Sequence, residues 1–200
     1  MSERLTIIDF VDKYTSKYAK DTFLREKING VWQETSFEDT RKEGRVLAAA
    51  FMSLGLQKGE RVALISEGRK LWIIAELGVL YAGGTDVPLS AKLEESNDLL
   101  FRINHSDSRF VIASQQQLPK IRKIIGQLPL VEKVIVLDDL AEYGEKEIGI
   151  TEFTKMGEAY IAENEAKVDE RAASVGPDDY ANISYTSGTT SDPKGVILTH

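Results

Sequence analysis

Cysteine is absent from the 200 residues, so neither a disulfide framework nor a thiolate metal site can be built. That absence fits a reducing cytoplasm. A basic excess is missing too. With 25 lysines and arginines against 32 acids the formal charge is −7, which argues against nucleic acid as the main partner. Long apolar runs are also lacking: the longest, Leu71 to Gly84, is broken by Glu76 and falls short of the ~18–20 residues that span a bilayer. Met1-Ser2-Glu3-Arg4 leads into a mixed, lysine-bearing pattern rather than an apolar targeting core. The expectation is a soluble, cytoplasmic protein.

What is present is ordinary in bulk. An apolar fraction of 42% and a charged fraction of 28% suit one globular domain, or one and a fraction, with a sizeable core. Charge is unevenly spread: residues 138–179 hold thirteen acids and four bases, net −9, against +2 for the remainder. Such a run reads as a solvated surface segment.

Along the chain, Leu5 to Tyr18 has the spacing of an amphipathic helix. Thr22–Ile28 and Val31–Ser36 read as a hairpin turned by Asn29-Gly30, with Trp32 in core or rim packing. Ser36 to Asp39 resembles a capping box opening a helix with Val46, Leu47, Ala50, Phe51 and Leu54 on one face, ending at Gly55. Strand–helix alternation follows. Strands are expected at 61–66, 85–88, 109–113 and 133–137, with helices at 71–82, 94–104 and 118–127 between them. This pattern implies an α/β fold, a mostly parallel sheet flanked by helices. Ligands of such sheets sit outside the carboxyl ends of the strands, so the loops after Ser66, Pro88, Ala113 and Leu137 share one candidate edge. Residues 138–179 interrupt the alternation with one helix, Ile150 to Asn164, and a polar stretch. A strand at 180–185 comes next. His105 and His200 fall in no constellation and receive no role.

The chemistry concentrates in Tyr185 to His200, YTSGTTSDPKGVILTH. Gly188 precedes Lys194 by the Walker spacing, but Pro193 and Gly195 flank the lysine where Gly and Ser/Thr should stand. The magnesium-binding hydroxyl of that motif is therefore missing. No G-x-G-x-x-G occurs, which removes the dinucleotide fingerprint. A phosphate loop of another kind remains. Gly188 lets a backbone N–H approach an anion, Ser187, Thr189 and Thr190 add hydroxyl donors, and Lys194 adds a point charge. Pro193 stiffens the turn, and Asp192 would repel a triphosphate unless it points outward or acts through a metal.

Thr186-Ser187-Gly188-Thr189-Thr190-Ser191-Asp192-Pro193-Lys194-Gly195-Val196 resembles the signature phosphate loop of the AMP-forming adenylating enzymes, which include acyl-CoA synthetases, luciferases and peptide-synthetase adenylation domains. Upstream, Lys58 to Leu64 is similar to that superfamily's first core strand. Ser66 to Trp72 and Leu80 to Leu89 look most like the long-chain fatty-acid–CoA ligases. The resemblance implies a two-step reaction in which ATP, Mg2+ and a fatty acid give an acyl-adenylate and coenzyme A then takes the acyl group. It places the β- and γ-phosphates on Thr186, Ser187, Gly188, Thr189, Thr190 and Lys194, with Thr186 helping to hold magnesium. Ser191 departs from the family's usual glycine; a positive φ there would add about 1 kcal/mol of strain.

The family's adenine and ribose contacts, magnesium glutamate, hinge and catalytic lysine all follow the phosphate loop. Residues 1–200 are therefore expected to be the incomplete N-terminal portion of a large adenylation domain, with its phosphate loop at 185–196, without the C-terminal lid and inactive alone. Lipid-like substrates would allow peripheral membrane contact. Two other readings stay open: an adenylating ligase for an aryl, short-chain or amino acid, and a non-catalytic α/β interaction module.

Overall fold

The computed structural model describes residues 4–94, 96–186 and 193–200. It opens with α1 (Ile7–Tyr18), whose N-terminus is closed by a reciprocal box: the Asp9 N–H donates to the Thr6 hydroxyl at 3.0 Å and the Thr6 N–H to the Asp9 carboxylate at 2.8 Å. The hairpin β1 (Thr22–Ile28) and β2 (Val31–Ser36) follows, turned at Asn29 and Gly30 with φ of 51° and 83°. Trp32 is not packed into a core; it is 58% exposed, with Arg25 and Lys27 beside its ring.

Ser36 caps α2 (Phe37–Ser53) by accepting the Asp39 N–H at 3.1 Å, but the expected box is only half formed. Ser36 also closes β2 opposite Thr22, and the Asp39 carboxylate takes its hydroxyl instead of its N–H.

The main sheet contains β3 (Arg61–Ile65), β4 (Thr85–Leu89), β5 (Ser108–Ala113), β6 (Lys133–Val136), β7 (Glu147–Gly149), β8 (Tyr180–Thr186) and β9 (Lys194–Thr199). Their spatial order is β7-β6-β5-β3-β4-β8-β9, parallel throughout except for the β8–β9 pair. Helices α3 (Lys70–Tyr81), α4 (Ser96–His105), α5 (Leu118–Ile124) and α6 (Ile150–Ala173) connect the strands. Side chains alternate across the sheet. Val62 and Leu64 of β3 join Phe51 and Leu80 in one buried cluster, while Ala63 and Ile65 join Leu99 and Ile121 in the other. No helix among the described residues is long and apolar enough to cross a membrane.

The acidic segment is more than a solvated surface. Residues 147–149 add an edge strand parallel to β6, and α6 continues past Asn164 to Ala173 through a kink (φ −133°, ψ 27°) where the Asn164 amide donates to the Tyr160 carbonyl at 3.1 Å. Phe153, Gly157 and Val168 form its buried stripe, with Phe153 edge-on to Phe51 at 4.8 Å. Its charges lie on the other faces, and Arg171 turns back to donate to the carbonyls of Leu56 and Ala82, both at 3.0 Å.

Helix α6 approaches α2 so closely that a Cβ on Gly157 would stand 2.1 Å from the Val46 carbonyl oxygen. Backbone cannot yield as a side-chain tip can. Gly157→Ala is expected to cost about 1–3 kcal/mol by overpacking, read as a lower urea midpoint with an unchanged slope; equal midpoints would contradict the crossing.

Asp86, on the interior strand β4, is fully enclosed, and neither carboxylate oxygen has a hydrogen-bond partner among the described residues. Burial pushes its pKa well above the ordinary 3.8, the nearby Glu76 carboxyl adds to the rise, and the Val87 N–H opposes it. Glu76 itself is pushed up by burial. The folded form thus keeps a proton that the unfolded chain has already lost. The contribution of this group to stability is full below the ordinary carboxylate range and is lost as pH rises through the raised value. Asp86→Asn is expected to flatten that decline and to gain about 1–3 kcal/mol over the parent at neutral pH. Denaturant midpoints of parent and variant across mildly acidic to neutral pH measure this; a difference between the two that does not change over that rise would contradict it.

Candidate functional site

Because β3, β4, β5, β6 and β8 run parallel, their carboxyl ends lie along one edge. Thr186 ends β8 there, and β9 returns antiparallel from Lys194, directly opposite it. Thr186 and Lys194 therefore bracket the hydroxyl- and glycine-rich sequence at the carboxyl edge of the sheet. Thr186 and Lys194 face solvent as partners on one rung. Ser187, Gly188, Thr189 and Thr190 lie outside the described residues, as do Ser191 and Asp192. A hydroxyl and an ammonium on one rung suit an anion: the first donates a hydrogen bond, the second a compact charge.

Next to this rung the loop after β4 and the face of α4 enclose a cavity of about 200 Å3, lined by Pro88, Leu89, Ser90, Leu93, Arg102 and Tyr185. Arg102 is buried and stays close to its own helix, donating to the Asp98 carbonyl at 2.9 Å and pairing with the Asp98 carboxylate at 3.3 Å. Its guanidinium lies 5.9 Å from the Tyr185 ring centre. Sequence reading gave Arg102 and His105 no role because their partner is contributed by β8.

Farther along the same edge, the ends of β3, β5 and β6 form a polar crevice of about 490 Å3. Arg69 grips both oxygens of Asp138 at 2.8 and 3.0 Å, and the Gln115 N–H donates to the same carboxylate at 2.8 Å. Burial would raise Glu67, but hydrogen bonds from Gln117 and Ser114 outweigh it and hold its carboxyl below the ordinary range. The loops after Ser66, Ala113 and Leu137 do meet here, as the strand alternation implies. The loop after Pro88 instead joins the hairpin cavity.

His200 closes β9 at the opposite edge, its N–H donating to the Asp179 carbonyl at 3.2 Å. Burial pushes its imidazole pKa down, against the raising influence of Asp179 and Asp9. It has no part in the hairpin tip. The described residues hold no cluster of three or more metal-ligating His, Asp or Glu side chains, and at the rung itself the Thr186 hydroxyl could offer one oxygen to a cation. One hydroxyl is a single ligand of the six that Mg2+ takes; phosphate oxygens and water would have to supply most of the rest.

Comparison with known proteins agrees with this fold. The chain is 28% identical over 197 residues to a long-chain-fatty-acid–CoA ligase, ACSBG2, of Xenopus laevis, covering 98% of this chain and 26% of the relative. It is 29% identical over 190 residues to the crotonobetaine/carnitine–CoA ligase of Salmonella agona, covering 90% of this chain and 34% of that one. The chain thus spans about a quarter to a third of the length of these curated relatives. Among solved structures, the anthranilate CoA ligase AuaEII in complex with anthranoyl-AMP superposes with a TM-score of 0.83 at 22% identity, over 100% of this chain and 35% of that one. A Mycobacterium tuberculosis fatty acyl CoA synthetase does so at 0.73 and 22%, over 97% and 34%. The AMP-binding enzyme family model matches residues 11–200, nearly the whole sequence, and the chain belongs to that family.

Proposed function

We propose that this chain is the N-terminal portion of an ATP-dependent long-chain fatty-acid–CoA ligase, and that the β8–β9 hairpin holds the β- and γ-phosphates of ATP. The observation that carries the reading is the rung pairing Thr186 with Lys194 at the carboxyl edge of a parallel sheet, in a family defined by AMP binding. In the reaction, a carboxylate oxygen attacks the α-phosphorus, the bond from that phosphorus to the bridging oxygen breaks, and pyrophosphate leaves. The thiol of coenzyme A then attacks the acyl carbon and displaces AMP.

The chain's own residues act on the leaving group. Lys194 and the loop donors meet the charge that grows on pyrophosphate, so they stabilise the transition state more than the ground state. Mg2+ would arrive with the triphosphate, with the Thr186 hydroxyl as one oxygen ligand, and would neutralise phosphate charge. The fatty-acid assignment is supported by relatives described as long-chain or fatty acyl ligases, ACSBG2 and FadD15 of Mycobacterium bovis among them. The crotonobetaine/carnitine and anthranilate ligases support the reading of another carboxylate, aryl included. Peripheral membrane contact would follow from a lipid substrate, in a cytoplasmic enzyme.

ATP–pyrophosphate exchange against a panel of carboxylates, in an enzyme of the relatives' full length that carries this sequence, separates these readings. Exchange with palmitate or oleate is expected; exchange only with aryl or short acids would move the substrate assignment. In the same enzyme Lys194→Ala is expected to lower exchange by about 10²-fold. Because Lys194 is exposed, the melting temperature should not move. Equal activity in variant and parent would contradict the phosphate role.

A further inference from the structure

The phosphate hairpin is poorly anchored by its backbone. The ladder from β4 to β8 contains one residue pair, Asp86 opposite Asn182, near the start of β8. Tyr185 and Thr186 lie beyond it, and among the described residues β9 pairs with β8. Something other than main-chain pairing must fix the height of the rung that carries Thr186 and Lys194.

Tyr185 fills that place. Its hydroxyl lies 2.8 Å from Nδ1 of His105, at the end of α4, and the two rings meet edge to face at 5.7 Å. Phe101, one turn back on α4, stacks on the imidazole at 5.1 Å and restricts its rotation. Burial pushes the phenol pKa up, and the hydroxyl and the imidazole Nδ1 are each other's hydrogen-bond partners. Opposite Tyr185 on β9 stands Gly195, where a Cβ would come within 2.9 Å of the Ile183 side chain and 3.5 Å of the tyrosine ring. The absence of a side chain at Gly195 lets the ring lie across the hairpin next to Lys194.

We propose that His105 is a positioning residue for triphosphate binding: through its hydrogen bond to Tyr185 it holds the rung that carries Thr186 and Lys194. The inference rests on the phosphate-loop reading for its ligand, and on geometry alone for the strut. His105 acts 80 residues away in sequence, through Tyr185. The contact is partly open to water, so its effect is local and moderate.

Hydrogen exchange of the backbone amides, together with affinity for inorganic tripolyphosphate, tests it in the parent chain and in Tyr185→Phe, His105→Ala and His105→Gln. Tyr185→Phe keeps the ring and removes only the hydroxyl, so it guards against a variant that merely misfolds. Both Tyr185→Phe and His105→Ala are expected to speed exchange at residues 184–186 and 194–196 by about 3- to 10-fold. Amides of β3 and β5 should not change. Tripolyphosphate affinity should fall by a similar factor, and His105→Gln, which can still hydrogen-bond the phenol, should restore both. Unchanged exchange at these residues would overturn the strut. Faster exchange with unchanged affinity would overturn the positioning role. A parent chain that binds no tripolyphosphate would instead defeat the phosphate-loop reading, while the exchange pattern still decides the strut.

Discussion

Parallel pairing of β3 with both β4 and β5 is the constraint on which the rest of this structure depends. A parallel neighbour cannot be reached by a tight turn, so each connection must cross a face of the sheet as a helix. The crossovers bury both faces, which explains why the strands are apolar on both sides and why two separate cores form. The same constraint sends every carboxyl end to one edge. Chemistry placed in the loops therefore collects there without any single segment encoding the site.

The hairpin at the end of the sheet departs from that rule. Strands β8 and β9 pair antiparallel, with Thr186 and Lys194 on the rung at the carboxyl end of β8. Such a rung sets a hydroxyl beside an ammonium, which suits an anion. It also sacrifices backbone anchoring, because one partner is an edge strand and the other is joined by a single rung to β4. Side chains from α4 supply the missing constraint. Arg102 and His105, one turn apart, reach the same tyrosine.

Much of this was legible in the sequence, for identifiable reasons. Strands such as Arg61–Ile65 and Lys133–Val136 are short apolar runs between turn signals, and Asn29-Gly30 marks its hairpin without ambiguity. The proposed phosphate loop stands out because glycine, hydroxyls, proline and lysine are adjacent in the chain. What escaped depends on tertiary context. Glu147–Gly149 is a strand only because β6 offers an edge, and the second half of α6 is so acidic that its stripe through Val168 is easily overlooked. Asp86 reads as an ordinary polar strand residue until a helix covers it. The contact of His105 with Tyr185 has no local signature at all, since it joins a helix end to a strand end far along the chain.

The central claim is that the β8–β9 tip, at the carboxyl edge, is where nucleotide phosphates bind. Titration of the isotope-labelled chain with Mg–ATP, followed by amide chemical shifts, tests it most directly. The account expects saturable shifts at Tyr185, Thr186, Lys194 and Gly195, with Asp179 and His200 at the far edge unmoved. Shifts confined to that far edge, or none at the hairpin at saturating nucleotide, would contradict it.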